Sequence, residues 1–216
     1  MRPALVVHVG DIHGGVKCRD SLLDLLRGYL NAVQAPILYT PGDNGWTDCG
    51  SKKKGGYDPL ERLSRLRALF FQGSETLGAQ PLRRETQCAD GYPENAGLAI
   101  GGVGFVTLHV VGSNNNFSPD DIDVENEFMA RNAASLRWLE ESFDKFDNLD
   151  AIVVALHADM FRNLAGVKAV KKAWATHSPY RKIGERLFEL SDGFGKSVLL
   201  IYGNSHEHRA FQPFAQ

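Results

Sequence analysis

Short apolar runs alternate along the chain with longer stretches in which leucines recur every three or four residues. The runs "PALVVHVG" (3–10), "APILYT" (35–40), "AIVVAL" (151–156) and "SVLLIYG" (197–203) are too short for helices and are rich in β-branched residues, so they read as buried strands. "RDSLLDLLRGYLNAV" puts Leu22, Leu23, Leu26 and Leu30 on one helical face, with Asp20 or Ser21 as its cap. "DPLERLSRLRALFF" opens with Asp58-Pro59, an N-cap followed by a proline in the first turn. It carries the stripe Leu60, Leu63, Leu66, Leu69 and Phe70. Residues 72–95 are turn-rich, and "GLAIGG" with "GFVTLHVVG" predicts a hairpin around Gly101-Gly102. The longest helical pattern runs from Val124 to Phe146, with Leu136, Leu139 and Phe143 inward and Asn126, Arg131, Glu140 and Lys145 outward. A last helix, "RKIGERLFELSDGFG", is expected to stop near Gly193.

Strands alternating with helices predict an α+β or layered α/β domain, and the hairpin argues against a purely parallel sheet. Two packed β-sheets flanked by helices fit this order best, in one domain spanning residues 1–216.

Composition narrows the functional classes. The chain has 216 residues, 43% of them apolar, which supports a packed core over disorder. Its formal net charge of −2 offers no electrostatic argument for nucleic acid or an anionic membrane as partner. No apolar run approaches the ~20 residues that cross a bilayer. The apolar stretch at the N-terminus is shorter than the ~7–15 residues of a signal peptide. As written the chain reads as cytoplasmic. Cys18, Cys49 and Cys88 form no CxxC pair, and three free thiols are the first expectation. The alternative pairs Cys18 with Cys49, since each follows a strand-end Gly-Asp by a few residues. Such a bond belongs to an oxidising compartment.

The polar residues gather at strand ends. Asp11 (with His13), Asp43 (with Asn44), His157 (with Asp159) and His206 (with His208) each follow a predicted strand, and a fifth strand ends in "VGSNNN". Turns favour Asp, Asn, Ser and Gly but not histidine, and in open α/β sheets ligands collect at the carboxyl ends of strands. Carboxylate, amide and imidazole together suit a divalent metal.

These residues and their order resemble the calcineurin-like metallophosphoesterase family, whose motifs run D-x-H, G-D, G-N-H-[DE], a lone H and G-H-x-H. The resemblance spans Val6 to Arg209 and allows two registers. In one, Asp11-Ile12-His13 is D-x-H, Gly42-Asp43 is G-D, and Asn114 or Asn115 replaces the G-N-H asparagine. In the other, favoured by the flanking segments, Gly10-Asp11 is already G-D and "TPGDNGW" takes the place of G-N-H-E. A bacterial subgroup carries a leader and a D-x-H-like strand before that segment. On this register the chain lacks its first strand and motif, and a missing leader would make it periplasmic or secreted.

The resemblance implies hydrolysis of a phosphomonoester or phosphodiester at a dinuclear centre of Mn, Fe or Zn, with a small phosphorylated substrate. The implied ligands are Asp11, Asp43, His157 and His206, with Asn44 or Asn114 completing a coordination sphere or binding phosphate. His13 or His208 would supply the leaving-group proton. The sequence departs from G-H-x-H: "GNSH" puts Asn204 where an imidazole is expected. The competing expectation is therefore a degenerate, non-catalytic relative that binds one metal or none.

Several residues have plainer readings. His8 and His109 lie inside strands and read as structural, and Asn114–Asn116 read as a turn. Lys52–Lys54 read as a solvated loop, and Trp138 as core packing. Trp46 either stacks on a substrate or covers the sheet edge.

Overall fold

The computed structural model describes residues 3–161, 178–210 and 212. A two-stranded parallel sheet pairs β1 (Val6–His8) with β2 (Ile37–Tyr39). A five-stranded mixed sheet runs in the order β3 (Glu85–Gln87), β4 (Tyr92–Ile100), β5 (Val103–Thr107), β6 (Ala151–Ala155) and β7 (Ser197–Ile201). β3–β4 and β4–β5 are antiparallel, while β5–β6 and β6–β7 are parallel. The helices are α1 (Asp20–Ala32), α2 (Pro59–Phe70), α3 (Ile122–Lys145) and α4 (Arg181–Phe194). The architecture is thus mixed α+β, with two sheets flanked by helices.

The period of two along β2 explains the layering. Ile37 and Tyr39 face Leu23 of α1 and Leu63, Leu66 and Phe70 of α2, while Leu38 faces Ala96 and Leu98 of β4. On the far side of the large sheet, Val106, Ile152 and Val154 pack against Leu139 and Phe143 of α3 and Ile183 and Leu187 of α4. Fully buried leucines such as Leu66 and Leu139 each contribute about 1.5–3 kcal/mol. No helix among the described residues is long and apolar enough to cross a membrane.

Most predicted elements are present, including the hairpin around Gly101-Gly102. Asp58 caps α2 as expected, its Oδ1 accepting from Leu60 N at 2.9 Å. Three local expectations are corrected. No side chain caps α1: Arg19 precedes it, and the carboxylate of Asp20 accepts from Arg62 at 2.6 Å instead. The turn-rich stretch 72–95 contains β3 and the start of β4, because strand pairing there is carried by polar residues without apolar alternation. α4 ends at Phe194, near Gly193 as expected, and the left-handed φ of 64° falls on Gly195. Arg131, assigned to the solvent face of α3, is completely buried. Its guanidinium fills its hydrogen bonds with Glu127, His109 O, and both the side-chain and backbone oxygens of Asn115.

Candidate metal centre

The strands end where the polar residues lie. Parallel pairing carries the ends of β1 and β2 to one edge, and the ends of β5, β6 and β7 to an edge facing it. The two loops after β1 and β2 meet backbone to backbone. Gly10 has φ +91°, and a Cβ there would stand 2.6 Å from Gly42 Cα; a Cβ on Gly42 would stand 2.3 Å from Asp11 N. Glycine at both positions is what lets the two aspartates approach each other.

Asp11, Asp43 and His157 each offer a donor atom to a group in which all three atoms lie within 4.8 Å of one another. Asp43 and His157 are buried, at 5% and 1% exposure. His157 Nε2 lies 3.3 Å from Asp11 Oδ1 but off any hydrogen-bonding direction, and it has no hydrogen-bond partner. A buried, orphaned imidazole nitrogen facing two carboxylates is the donor set of a divalent cation site, and the residues present fit such an ion.

Further residues brace the three ligands. Asn44 Nδ2 donates to Asp11 Oδ2 at 2.8 Å, and Asn44 N lies 3.3 Å from Asp11 Oδ1. Lys54 Nζ donates to Asn44 Oδ1 and to Asp48 Oδ2, the latter at 2.7 Å. Ser113 Oγ lies between Asp48 Oδ1 and Asp43 Oδ2, at 2.5 and 3.2 Å. Gly112 N donates to His157 Nδ1 at 3.1 Å. Asp11, Asn44, Lys54, Asp48, Ser113 and Asp43 are so linked by hydrogen bonds, and His157, with a donor atom within 4.8 Å of the two ligand carboxylates, completes a ring of polar groups.

The ring is electrostatically uneven. Burial pushes the Asp43 carboxyl up, and the neighbouring Asp11 and Asp48 charges add to that rise. Burial also works against ionised Asp11, but the contacts from His157 and Asn44 outweigh it and hold that carboxyl below its usual range. Asp48 is likewise lowered: Lys54 and Ser113 overcome its burial.

The other predicted residues are placed as follows. His206 and His208 line an open cleft of about 460 Å³ together with Asp11, His157 and Asn204, but they stand outside the three-residue group. Asn44 is committed to Asp11 and Lys54. Asn114 is exposed and donates to Phe117 O at 2.9 Å, so it closes its own turn. His13 is buried with neither ring nitrogen hydrogen-bonded; burial first, then Lys54, hold its pKa down. Asp159 Oδ1 accepts from Phe161 N at 3.1 Å, a turn contact.

Three expectations about the surroundings are revised. Cys18 and Cys49 form a disulfide, with Cα atoms 5.7 Å apart, and Cys88 is free and exposed. Free thiols at 18 and 49 are thereby overturned, because the β1 and β2 loops are neighbours. Lys54 is no solvated residue of its loop, since its side chain is only 15% exposed. Trp46 is wholly buried, 5.2 Å from the His109 ring and 5.2 Å beneath the Arg131 guanidinium, so it stacks on protein groups.

Strain concentrates at this edge. Among the described residues, the non-glycine positions with positive φ are Asp11, Ser113, Asn114, Asn115, Asn116, Asn204 and His206, all on the loops that meet here. Backbone in that region is held only where surrounding contacts over-determine it, commonly at functional sites. Here Arg131 grips Asn115, and Tyr180 Oη donates to Val111 O at 3.1 Å.

The residues missed from sequence are the bracing ones: Ser113, Asp48, Lys54 and Arg131. Each is ordinary in its local context: Ser113 reaches Asp43 and Arg131 reaches Asn115 across 70 and 16 positions, while Lys54 folds back on Asp48 and Asn44, 6 and 10 positions before it. No family model, curated protein or solved structure matches this chain.

Proposed function

We propose that the chain is a metal-dependent phosphoesterase of the calcineurin-like type, built on two packed sheets with its centre at Asp11, Asp43 and His157. The observation that carries the reading is the orphaned Nε2 of buried His157 beside two carboxylates drawn from two other strand ends. Both motif registers make Asp11 and Asp43 ligands, so the reading holds under either. A divalent cation held there supplies Lewis acidity to a phosphoryl oxygen and to an attacking water.

The remaining work falls to the chain itself. Asn44 fixes the orientation of Asp11, and Gly112 N holds the His157 ring in place before an ion binds. The cleft gives a phosphoryl group access beside Asp11 and His157. On this reading His208, which lines that cleft beside His206, protonates a leaving oxygen.

Asn204 favours a second reading. Its Nδ2 lies near Asp43 Oδ2, both closing on Gly112, so an amide stands where another imidazole would extend the ligand set. A non-catalytic relative that binds metal without turnover is the outcome that would support it.

Metal-free protein reloaded with Mn²⁺, Zn²⁺ or Fe²⁺ should hydrolyse a chromogenic aryl phosphodiester, and Asp43→Asn and His157→Gln should lose both ion and activity. Metal uptake without turnover supports the non-catalytic reading, and failure to bind any of these ions removes the catalytic one.

A further inference from the structure

The polar ring contains a second positive charge that belongs to the chain. Lys54 Nζ sits against Asn44 Oδ1 and Asp48 Oδ2, and its side chain is mostly buried. The position is built. Lys54 closes a short 3-10 turn whose N–H groups bond back to Ser51, and its carbonyl accepts from Cys18 N at 2.9 Å. Cys18 is itself bonded to Cys49, on the loop that carries Asp43, Asn44 and Asp48.

Among the described residues the donor inventory admits one ion. Asp11, Asp43 and His157 offer three donor atoms to one point, which leaves open positions for water and substrate. The oxygens on the opposite side of the ring, Asn44 Oδ1 and Asp48 Oδ2, are already satisfied by the ammonium. His206 and His208 stand outside the group. Charge balance agrees: the carboxylates of Asp11, Asp43 and Asp48 carry three formal negative charges, which one divalent ion and one ammonium neutralise.

Resting on the metal-centre reading above, we infer that the site is mononuclear, with the Lys54 ammonium standing where a second cation would otherwise be needed. Lys54 is a positioning residue: it orients Asn44, and through Asn44 the ligand Asp11. It also neutralises Asp48.

Equilibrium dialysis of the full chain against Mn²⁺, read by elemental analysis, tests this without reference to turnover. Wild-type protein should take up one ion per chain. Lys54→Ala frees Asn44 Oδ1 and Asp48 Oδ2 and should take up two. Lys54→Arg keeps the charge and should remain at one, which keeps the inference testable if Lys54→Ala fails to fold. Two ions in the wild type, two in Lys54→Arg, or one in a folded Lys54→Ala chain would each overturn the inference while leaving the metal centre standing. No ion in the wild type removes the metal-centre reading itself.

Discussion

Gly112 N–H donates to Nδ1 of His157 across 3.1 Å, joining the turn after β5 to the end of β6. A nitrogen that accepts holds its lone pair there, so the neutral ring carries its proton on Nε2, facing Asp11. Coordination through Nε2 moves that proton to Nδ1 and sets two N–H groups against each other.

Metal binding must therefore release Gly112 N. In an NMR titration with Zn²⁺, the amides of Gly112 and Ser113 should be among the most strongly shifted resonances. His157→Gln should weaken binding at least about 10–100-fold, the range seen even for groups that merely support a ligand. An unchanged Gly112 amide in metal-loaded protein would point to coordination through a different atom.

The contact between the β1 and β2 loops sets a steric test. In Gly42→Ala the new methyl would meet Asp11 N at 2.3 Å and Asp11 Oδ1 at 2.4 Å. Asp11 N is backbone and cannot swing aside, so the loops must separate. A loss of about 1–3 kcal/mol in urea denaturation is expected, together with weaker metal binding. Gly14→Ala, where a Cβ meets nothing within 4 Å, serves as the control.

Beneath the turn at 112–116 lies a buried charged network. Glu94 and His109 are both fully buried, with Glu94 Oε1 2.8 Å from His109 Nδ1 and 2.5 Å from Arg67 Nη2. Burial lowers the His109 pKa to about 4, although Glu94 opposes the change. Burial would raise Glu94, but the bonds from His109 and Arg67 prevail and hold it at about 2. Between pH 6.5 and 4 the unfolded chain binds the His109 proton that the folded chain refuses. Stability should fall across that window. Glu94 contributes fully above its unfolded pKa of 4.5, and its share is lost as pH drops toward 2. Urea midpoints measured from pH 7.5 down to pH 3 should decline accordingly, and Glu94→Gln should flatten the decline below pH 4.5.

Arg131 anchors the strained turn from below. Arg131→Met leaves the backbone oxygens of Asn115 and His109 without this donor, in a site where Arg131, Asn115 and His109 have no exposure to water. Breaking a buried charged contact on one side costs about 3–5 kcal/mol. Thermal denaturation should show a loss of that order, and hydrogen exchange at residues 112–116 should accelerate more than in β6.

The Cys18–Cys49 bond closes a loop of 31 residues across the two strand ends that carry Asp11 and Asp43. On chain-entropy grounds its removal lowers stability by about 3–4 kcal/mol. Cys18→Ala/Cys49→Ala should show that loss in chemical denaturation, whereas Cys88→Ala, at an exposed free thiol, should not.

How much of this was open to a reader of the sequence follows from the range of the interactions. Strands and helices rest on periodicities of two and 3.6 within about ten residues, so β1, β2, β6 and β7 and all four helices were legible. So was the placement of acids and imidazoles at strand ends, because glycine and aspartate terminate strands locally. β3 escaped, since Glu85–Gln87 carries no apolar alternation. The outward assignment of Arg131 failed because helical periodicity distinguishes faces by hydrophobicity, and a guanidinium satisfied by Asn115, His109 O and Glu127 reverses that signal.

By itself, then, the sequence determined which residues end the strands and which chemistry each end offers. Only the tertiary structure decided that the ends bearing Asp11, Asp43 and His157 converge, that His206 and His208 line the same cleft but lie outside that three-residue group, and that Lys54 joins the ring. The physical reason is that convergence depends on strand order and on the packing of one sheet upon another. Those are set by contacts between residues tens to more than a hundred positions apart, which no local pattern encodes.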